Sequence, residues 1–147
     1  FSPANIGRAT TRGIEVSAQG KICDHYLGWR GCYTWQQASD DVTGSRLVRR
    51  ARHRASLDLM SEPVKGLLLG AGMTYSGGIE DNDFSVFPSV RKELDSVVLL
   101  RAYCSYQLND NVSLHGRVEN LLDRTYEEIA NYPGRGLGVF GGMRVRW

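Results

Sequence analysis

The chain ends in a strict alternation. Leu137, Val139, Gly141, Met143, Val145 and Trp147 share one face of an extended segment, and Gly136, Gly138, Phe140, Gly142, Arg144 and Arg146 share the other. The first face is mostly apolar and finishes on an aromatic residue. The second is small or charged, with Phe140 as its exception. Successive side chains of a strand point to opposite sides of the sheet. A strand carries this pattern when lipid covers one side and a wet, polar lumen the other. A buried soluble strand has little use for Arg144 and Arg146 so near its end. The pattern predicts one strand of an antiparallel transmembrane β-barrel.

Six more segments alternate in the same way. The first covers residues 12–19, with Ile14, Val16 and Ala18 opposite Gly13, Glu15, Ser17 and Gln19. The second, 25–37, sets Leu27, Trp29, Gly31, Tyr33 and Trp35 against Gly28, Arg30, Cys32, Thr34 and Gln36. The third, 51–61, sets His53, Ala55, Leu57 and Leu59 against Arg52, Arg54, Ser56 and Asp58. The fourth begins at Leu67 and carries Leu69, Ala71, Met73 and Tyr75 outward, with Leu68 as an exception on the inner face. The fifth, 95–108, and the sixth, 112–121, place Arg101, Arg117 and Glu119 on the polar side. The connections run short, long, short, long, short, long. Short turns fall near 22, 64 and 110, and long loops near 44, 84 and 129, the last two spanning 76–92 and 122–135. Outer-membrane barrels have short periplasmic turns and longer extracellular loops. A periplasmic Trp147 puts all three short turns on the periplasmic side. A soluble β-sandwich also alternates; the loop rhythm and the terminal aromatic favour the barrel.

Composition agrees. The 18 Lys+Arg against 16 Asp+Glu give a net charge of +2, and the basic residues are scattered, so no nucleic acid partner is expected. No run of apolar residues is long enough for a membrane-spanning helix. Phe1 is not a start residue, so the chain is read as processed or as a fragment. Cys23, Cys32 and Cys104 fit neither a disulfide framework nor a metal pattern. His25, His53 and His115 have no partner at ligand spacing, so neither a metal nor another cofactor is expected. Ser113 and His115 share a face, but no supporting acid is identifiable, and no enzymatic activity is expected.

Four stretches resemble the C-terminal portion of TonB-dependent outer-membrane receptors. They are Asn5-Ile6-Gly7-Arg8-Ala9 with Arg12-Gly13-Ile14-Glu15, Leu47-Val48-Arg49-Arg50-Ala51-Arg52-His53, Val118-Glu119-Asn120-Leu121-Leu122-Asp123-Arg124-Thr125-Tyr126-Glu127, and Tyr132-Pro133-Gly134-Arg135-Gly136. Within that family the chain looks most like vitamin B12 (cobalamin) receptors, then ferric-siderophore receptors. The resemblance implies a plugged barrel of about 22 strands, of which residues 1–147 would be the last seven or so, with the plug and the TonB-contacting segment elsewhere. It implies outer-membrane lipid, the TonB inner-membrane complex and the barrel-assembly machinery as partners. Met143, Val145 and Trp147 of the final strand are the expected assembly signal. Loops on a rigid scaffold carry recognition, so Asp40, Asp41, Arg46, Asp81, Asp83, Tyr132 and Arg135 are candidate substrate contacts. Glu15, Arg54, Asp58, Arg101, Arg117 and Glu119 are expected to face the lumen or a plug. The stretch from Asn120 to Tyr126 reads better as a strand-to-loop exit than as a ligand contact. The alternative outside this class is a small structural or adhesive barrel.

Overall fold

The computed structural model describes residues 7–22 and 27–147, and every regular element among them is a strand. In chain order these are β1 (Ala9–Ile22), β2 (Leu27–Asp40), β3 (His53–Val64), β4 (Leu67–Gly77), β5 (Ile79–Asp83), β6 (Val90–Leu94), β7 (Val97–Gln107), β8 (Val112–Glu119), β9 (Glu127–Ile129), β10 (Tyr132–Pro133) and β11 (Gly138–Val145). Seven of them form one antiparallel sheet in the order β1-β2-β3-β4-β7-β8-β11. Each neighbour in that sheet is the next long strand in the chain, an up-and-down meander. Strands β1 and β11 close its two sides without pairing to each other, so the sheet is open.

The ladder registers make the alternation continuous across the sheet. Residues directly opposite one another in a ladder share a face. Trp29, Leu59, Ala71, Ala102, Val118 and Val139 form one such row across six strands. The adjacent row, on the other face, is Arg30, Asp58, Gly72, Arg101, Glu119 and Gly138. Every apolar set read from the sequence therefore falls on one surface. That surface is uncovered: Ile14 is 62% exposed, Met143 65% and Val139 73%. Soluble monomers rarely expose so broad an apolar face, whereas a barrel wall meets lipid there.

The buried hydrophobic cluster lies elsewhere. Ala51, Ile79, Leu94 and Ala130 pack together where the long connections 41–52, 78–96 and 120–137 meet at one end of the sheet. The short turns, 65–66 and 108–111, lie at the opposite end. At the first of these, Gly66 takes a φ of +82° and its N–H donates to Glu62 Oε1 at 2.8 Å. Pro63 sits where the β3–β4 register shifts between Ser61 and Val64, so its missing N–H disturbs no regular ladder. The link from β1 to β2, with Cys23 and His25, lies outside the described residues, as do Asn5 and Ile6.

The structure refines the long loops. The span read as the loop 76–92 starts inside β4 and is mostly the β5–β6 hairpin, which runs on to Leu94, and 122–135 holds the small β9–β10 pair. Composition made these stretches look irregular. What orders the first is its base, where Ile79 pairs with Leu94 and both are buried. Strand β2 also runs on to Asp40, because Ala38 is covered by the returning loop and its carbonyl accepts the Leu47 N–H at 2.9 Å.

Candidate functional site: loop crown and lumen wall

The three long connections form one body, and Asp81 is its centre. This residue is only 1% exposed. Its carboxylate accepts the Ala130 N–H at 2.9 Å, the Asn82 N–H at 2.9 Å and the Arg49 Nε–H at 3.0 and 3.2 Å. Residues from all three connections thus converge on one side chain. Burial alone pushes the carboxyl pKa up, but the two backbone N–H groups and the Arg49 guanidinium outweigh it and bring the pKa below its ordinary value. Glu80, next in line, is held by both Arg46 and Arg91, the latter at 2.8 Å. Arg46 also donates to the Gly78 carbonyl at 2.9 Å, and Arg91 to the Arg46 carbonyl. Asp83 accepts the Ser85 hydroxyl at 2.6 Å and the Asn131 amide at 2.7 Å. The Ser85 hydroxyl and N–H, then the Asn131 amide, hold the Asp83 carboxyl below its ordinary pKa.

The other candidate loop residues divide into two groups. Asp40 folds its own loop, accepting the Val42 and Thr43 N–H groups at 2.8 and 3.3 Å. Asp41 accepts the Thr10 hydroxyl at 2.9 Å and ties the loop to β1. Asp40, Asp41, Arg46, Asp81 and Asp83 are all engaged in loop architecture. Tyr132 is 70% exposed, and Arg135 stands beside the Phe140 ring, so these two face outward from the body. Sequence reading missed Arg49, Glu80, Arg91 and Asn131 as crown-forming residues. A left-handed φ at Arg49 and Asn131 helps place them, and nothing local in the sequence marks the former.

The strand exit at Asn120 is built from backbone contacts. Asn120 has a φ of +50° and is 5% exposed. Its Oδ1 accepts the Arg124 N–H at 2.9 Å, and its Nδ2 donates to the Arg124 and Arg135 carbonyls at 2.9 and 3.0 Å. Asp123 accepts the Leu137 N–H at 2.8 Å. Tyr126 lies over Gly134, where a Cβ would collide with its ring. The two family-like stretches near the end of the chain are thus one knot, closing the loop that leads into β11.

The polar face carries a charge network. Arg101 on β7 reaches Asp58 on β3 across the intervening strand β4. Gly72 makes the crossing possible: a Cβ there would lie 2.6 Å from both Arg101 Nε and Asp58 Oδ1. Glu119 stands opposite Arg101 in the ladder and pairs with Arg117 at 3.3 Å. Glu15 and Arg54 share a row, with Thr34 between them. Glu128, from the third loop, lines a cavity of about 370 Å³ together with Arg54, so this loop leans over the polar face. A larger open groove of about 750 Å³ runs past Arg101, His115, Arg117 and Phe140. Met143 and Val145 sit on the outward face opposite Leu114 and Val112, and Trp147 is fully exposed just beyond. Ser113 Oγ lies 3.0 Å from His115 Nε2, but Ser113 is 7% exposed and no carboxylate completes the pair among the described residues. Nor do any three His, Cys, Asp or Glu side chains converge on a metal-sized site among them.

Comparison with known proteins agrees with this architecture. A family model described as TonB dependent receptor-like, beta-barrel matches residues 1–121. A vitamin B12 transporter, BtuB of Vibrio cholerae serotype O1, is 28% identical over 130 residues, covering 87% of this chain and 20% of that protein. The chain therefore spans about one-fifth of the length of this relative. Among solved structures, the pyoverdine outer-membrane receptor FpvA of Pseudomonas aeruginosa superposes with a TM-score of 0.76 at 19% identity, covering 95% of this chain and 22% of that one. The ferric-catecholate import receptor Fiu of E. coli K12 superposes at 0.74 with 23% identity, covering 93% and 21%. At these identities the structural likeness speaks for the fold.

Proposed function

This chain belongs to the TonB-dependent receptor β-barrel family of the Gram-negative outer membrane, and we propose that it is the C-terminal wall of a receptor for active uptake of a large, scarce nutrient. Cobalamin is the first candidate cargo, on the strength of the sequence relative named for vitamin B12 transport. A ferric siderophore is the second, since receptors for such chelates share the fold. The observation that carries the reading is the seven-stranded sheet itself. It has one predominantly apolar face, one charged face, and its long loops fused into a body at one end. Seven strands fall short of even the smallest transmembrane barrels. The remaining wall and a plug come from the rest of a longer protein.

On this reading the outward face contacts lipid, and Met143, Val145 and Trp147 engage the assembly machinery. The plug transmits the pull of the TonB complex. The crown residues Asp40, Asp41, Arg46, Asp81 and Asp83 hold the outer loops in shape around Tyr132 and Arg135, which meet the cargo. Glu15, Arg54, Asp58, Arg101, Arg117 and Glu119 face the plug or the cargo path. No chemical step is assigned to the protein. The test is binding of radiolabelled cyanocobalamin and, separately, of radioiron-labelled ferric chelates to outer membranes bearing the full-length receptor. Saturable binding that disappears on deleting the gene is expected. Absence of binding for both cargo classes overturns the reading.

A further inference from the structure

Phe140 is the one large apolar residue on the polar face of β11, and its surroundings explain it. Its ring lies across Gly138, where a Cβ would come within 2.9 Å of Phe140 Cε2. The Arg117 guanidinium stands 4.6 Å from the ring centroid, and that of Arg135 stands 5.9 Å away. A guanidinium within about 6 Å of a ring centroid is attracted by the ring quadrupole, and two approach this one ring. Arg117 comes from the strand β8, and Arg135 from the end of the third loop. Their meeting point lies at the crown end of the lumen wall.

The charge there is incompletely balanced. Arg117 pairs with Glu119 through its Nε at 3.3 Å, and its side chain is 58% exposed. Arg101, which also borders Glu119, is already paired with Asp58. Arg135 has no carboxylate partner among the described residues, and it too is exposed. The Asn120 amide and the turn at Asp123 fix the backbone that carries it. The groove of about 750 Å³ begins beside Arg117 and Phe140, a smaller cavity of about 180 Å³ is lined by Arg135 and Tyr126, and Arg101 and Glu119 border both. Planar guanidinium groups bind carboxylate, catecholate and phosphate oxygens in paired hydrogen bonds. The Phe140 ring, lying across Gly138, gathers the two guanidinium groups beside each other.

We propose that Arg117, Arg135 and Phe140 form a binding site for an oxyanion-bearing group of the cargo, at the top of the lumen wall. The inference rests on the receptor reading above and adds a charge preference to it. Two cargo classes carry such a group: cobalamin through its phosphodiester, and a ferric chelate through its metal-binding oxygens.

The experiment uses the full-length receptor in detergent, with cyanocobalamin and ferric tris-catecholate as probes. Calorimetry compares the native protein with Arg117→Gln/Arg135→Gln, with Phe140→Leu, and with Arg144→Gln as a control on the same face. Heat-modifiable gel mobility reports whether each barrel is intact. The double variant is expected to lose at least tenfold in affinity for whichever probe the native receptor binds, Phe140→Leu to lose severalfold, and Arg144→Gln to lose little. The probe that responds identifies the source of the oxyanion. Equal affinity in the native and double-variant receptors, with the barrel intact, overturns the site and leaves the receptor reading standing. Binding of neither probe by the native receptor removes both.

Discussion

Replacing Asp81 with Ala tests whether the outer loops are one mechanical unit. The side chain accepts hydrogen bonds from Ala130 and Asn82 backbone N–H groups and from Arg49. Leaving a buried donor without an acceptor costs about 1–3 kcal/mol. The Ala130 N–H sits in a residue only 5% exposed, so it bears that cost in full. Arg49 is half exposed and regains water when its partner goes, so its share is small. The sum is about 2–4 kcal/mol against the closed crown. That corresponds to roughly a 30- to 1,000-fold rise in the open population. Hydrogen exchange with mass spectrometry on the full-length receptor reads this directly. Peptides containing Arg49, Ile79–Asp83 and Ala130 are expected to speed up together. Faster exchange confined to the β5–β6 hairpin, with the Ala130 peptide unchanged, refutes the idea that Asp81 joins the three connections.

Further outcomes follow from the same contacts. Asp81 has a lowered pKa when folded. Its stabilisation is therefore complete above the unfolded-state value of about 3.9 and is lost only as pH falls through the lower folded-state value. Crown peptides in the native receptor should stay protected at pH 5 and lose protection in stronger acid, while Asp81→Ala removes that acid-dependent step. Leu114→Arg puts a charge on the lipid face and should cost about 2–4 kcal/mol near the bilayer midplane, read as lost heat-modifiable barrel in outer membranes. Its matched control is Gly142→Arg on the polar face, where a Cβ meets nothing within 4 Å; Ser113 is unsuitable because it is buried against His115. Gly72→Val should break the Arg101–Asp58 crossing, because the added atoms occupy its path, and should lower the barrel's melting temperature as Gly72→Ala does to a lesser degree. Asn120→Ala removes three hydrogen bonds and leaves at φ +50° a residue that tolerates the left-handed region less well than Asn. It should open the exit loop to limited proteolysis, whereas Asn120→Asp, which keeps the Oδ1 acceptor, should do so less.

The seven wall strands were legible because a period of two is hard to disguise over eight or more residues. The outward set Leu57, Met73 and Leu100 could be assigned from sequence strand by strand, and the ladders place all three in one row. The alternation of short and long connections located the crown end. Strand limits were less legible where a turn-rich composition hides pairing, as at Asp40, or where an apolar pair such as Ile79 and Leu94 closes a hairpin inside a polar stretch. The Asn120 exit was readable because Asn and Asp bind nearby backbone. The Asp81 cluster was not, since its partners lie 32 and 49 residues away and no local rule connects them. Phe140 stood out as an exception to its face, but its meaning needed Arg117 and Arg135, which sequence alone does not bring together.

The account turns on which side of this wall faces lipid, and a nitroxide scan of β8 measures that most directly. The native cysteines of the full-length receptor are first replaced by serine. Each residue of Val112–Glu119 is then changed in turn to a spin-labelled cysteine in reconstituted membranes. Oxygen, which partitions into lipid, and a nickel chelate, which stays in water, compete to relax each label. Oxygen accessibility is expected to peak at Leu114, Gly116 and Val118, and nickel accessibility at His115, Arg117 and Glu119. The reverse phase, or no period of two, would contradict the barrel-wall assignment.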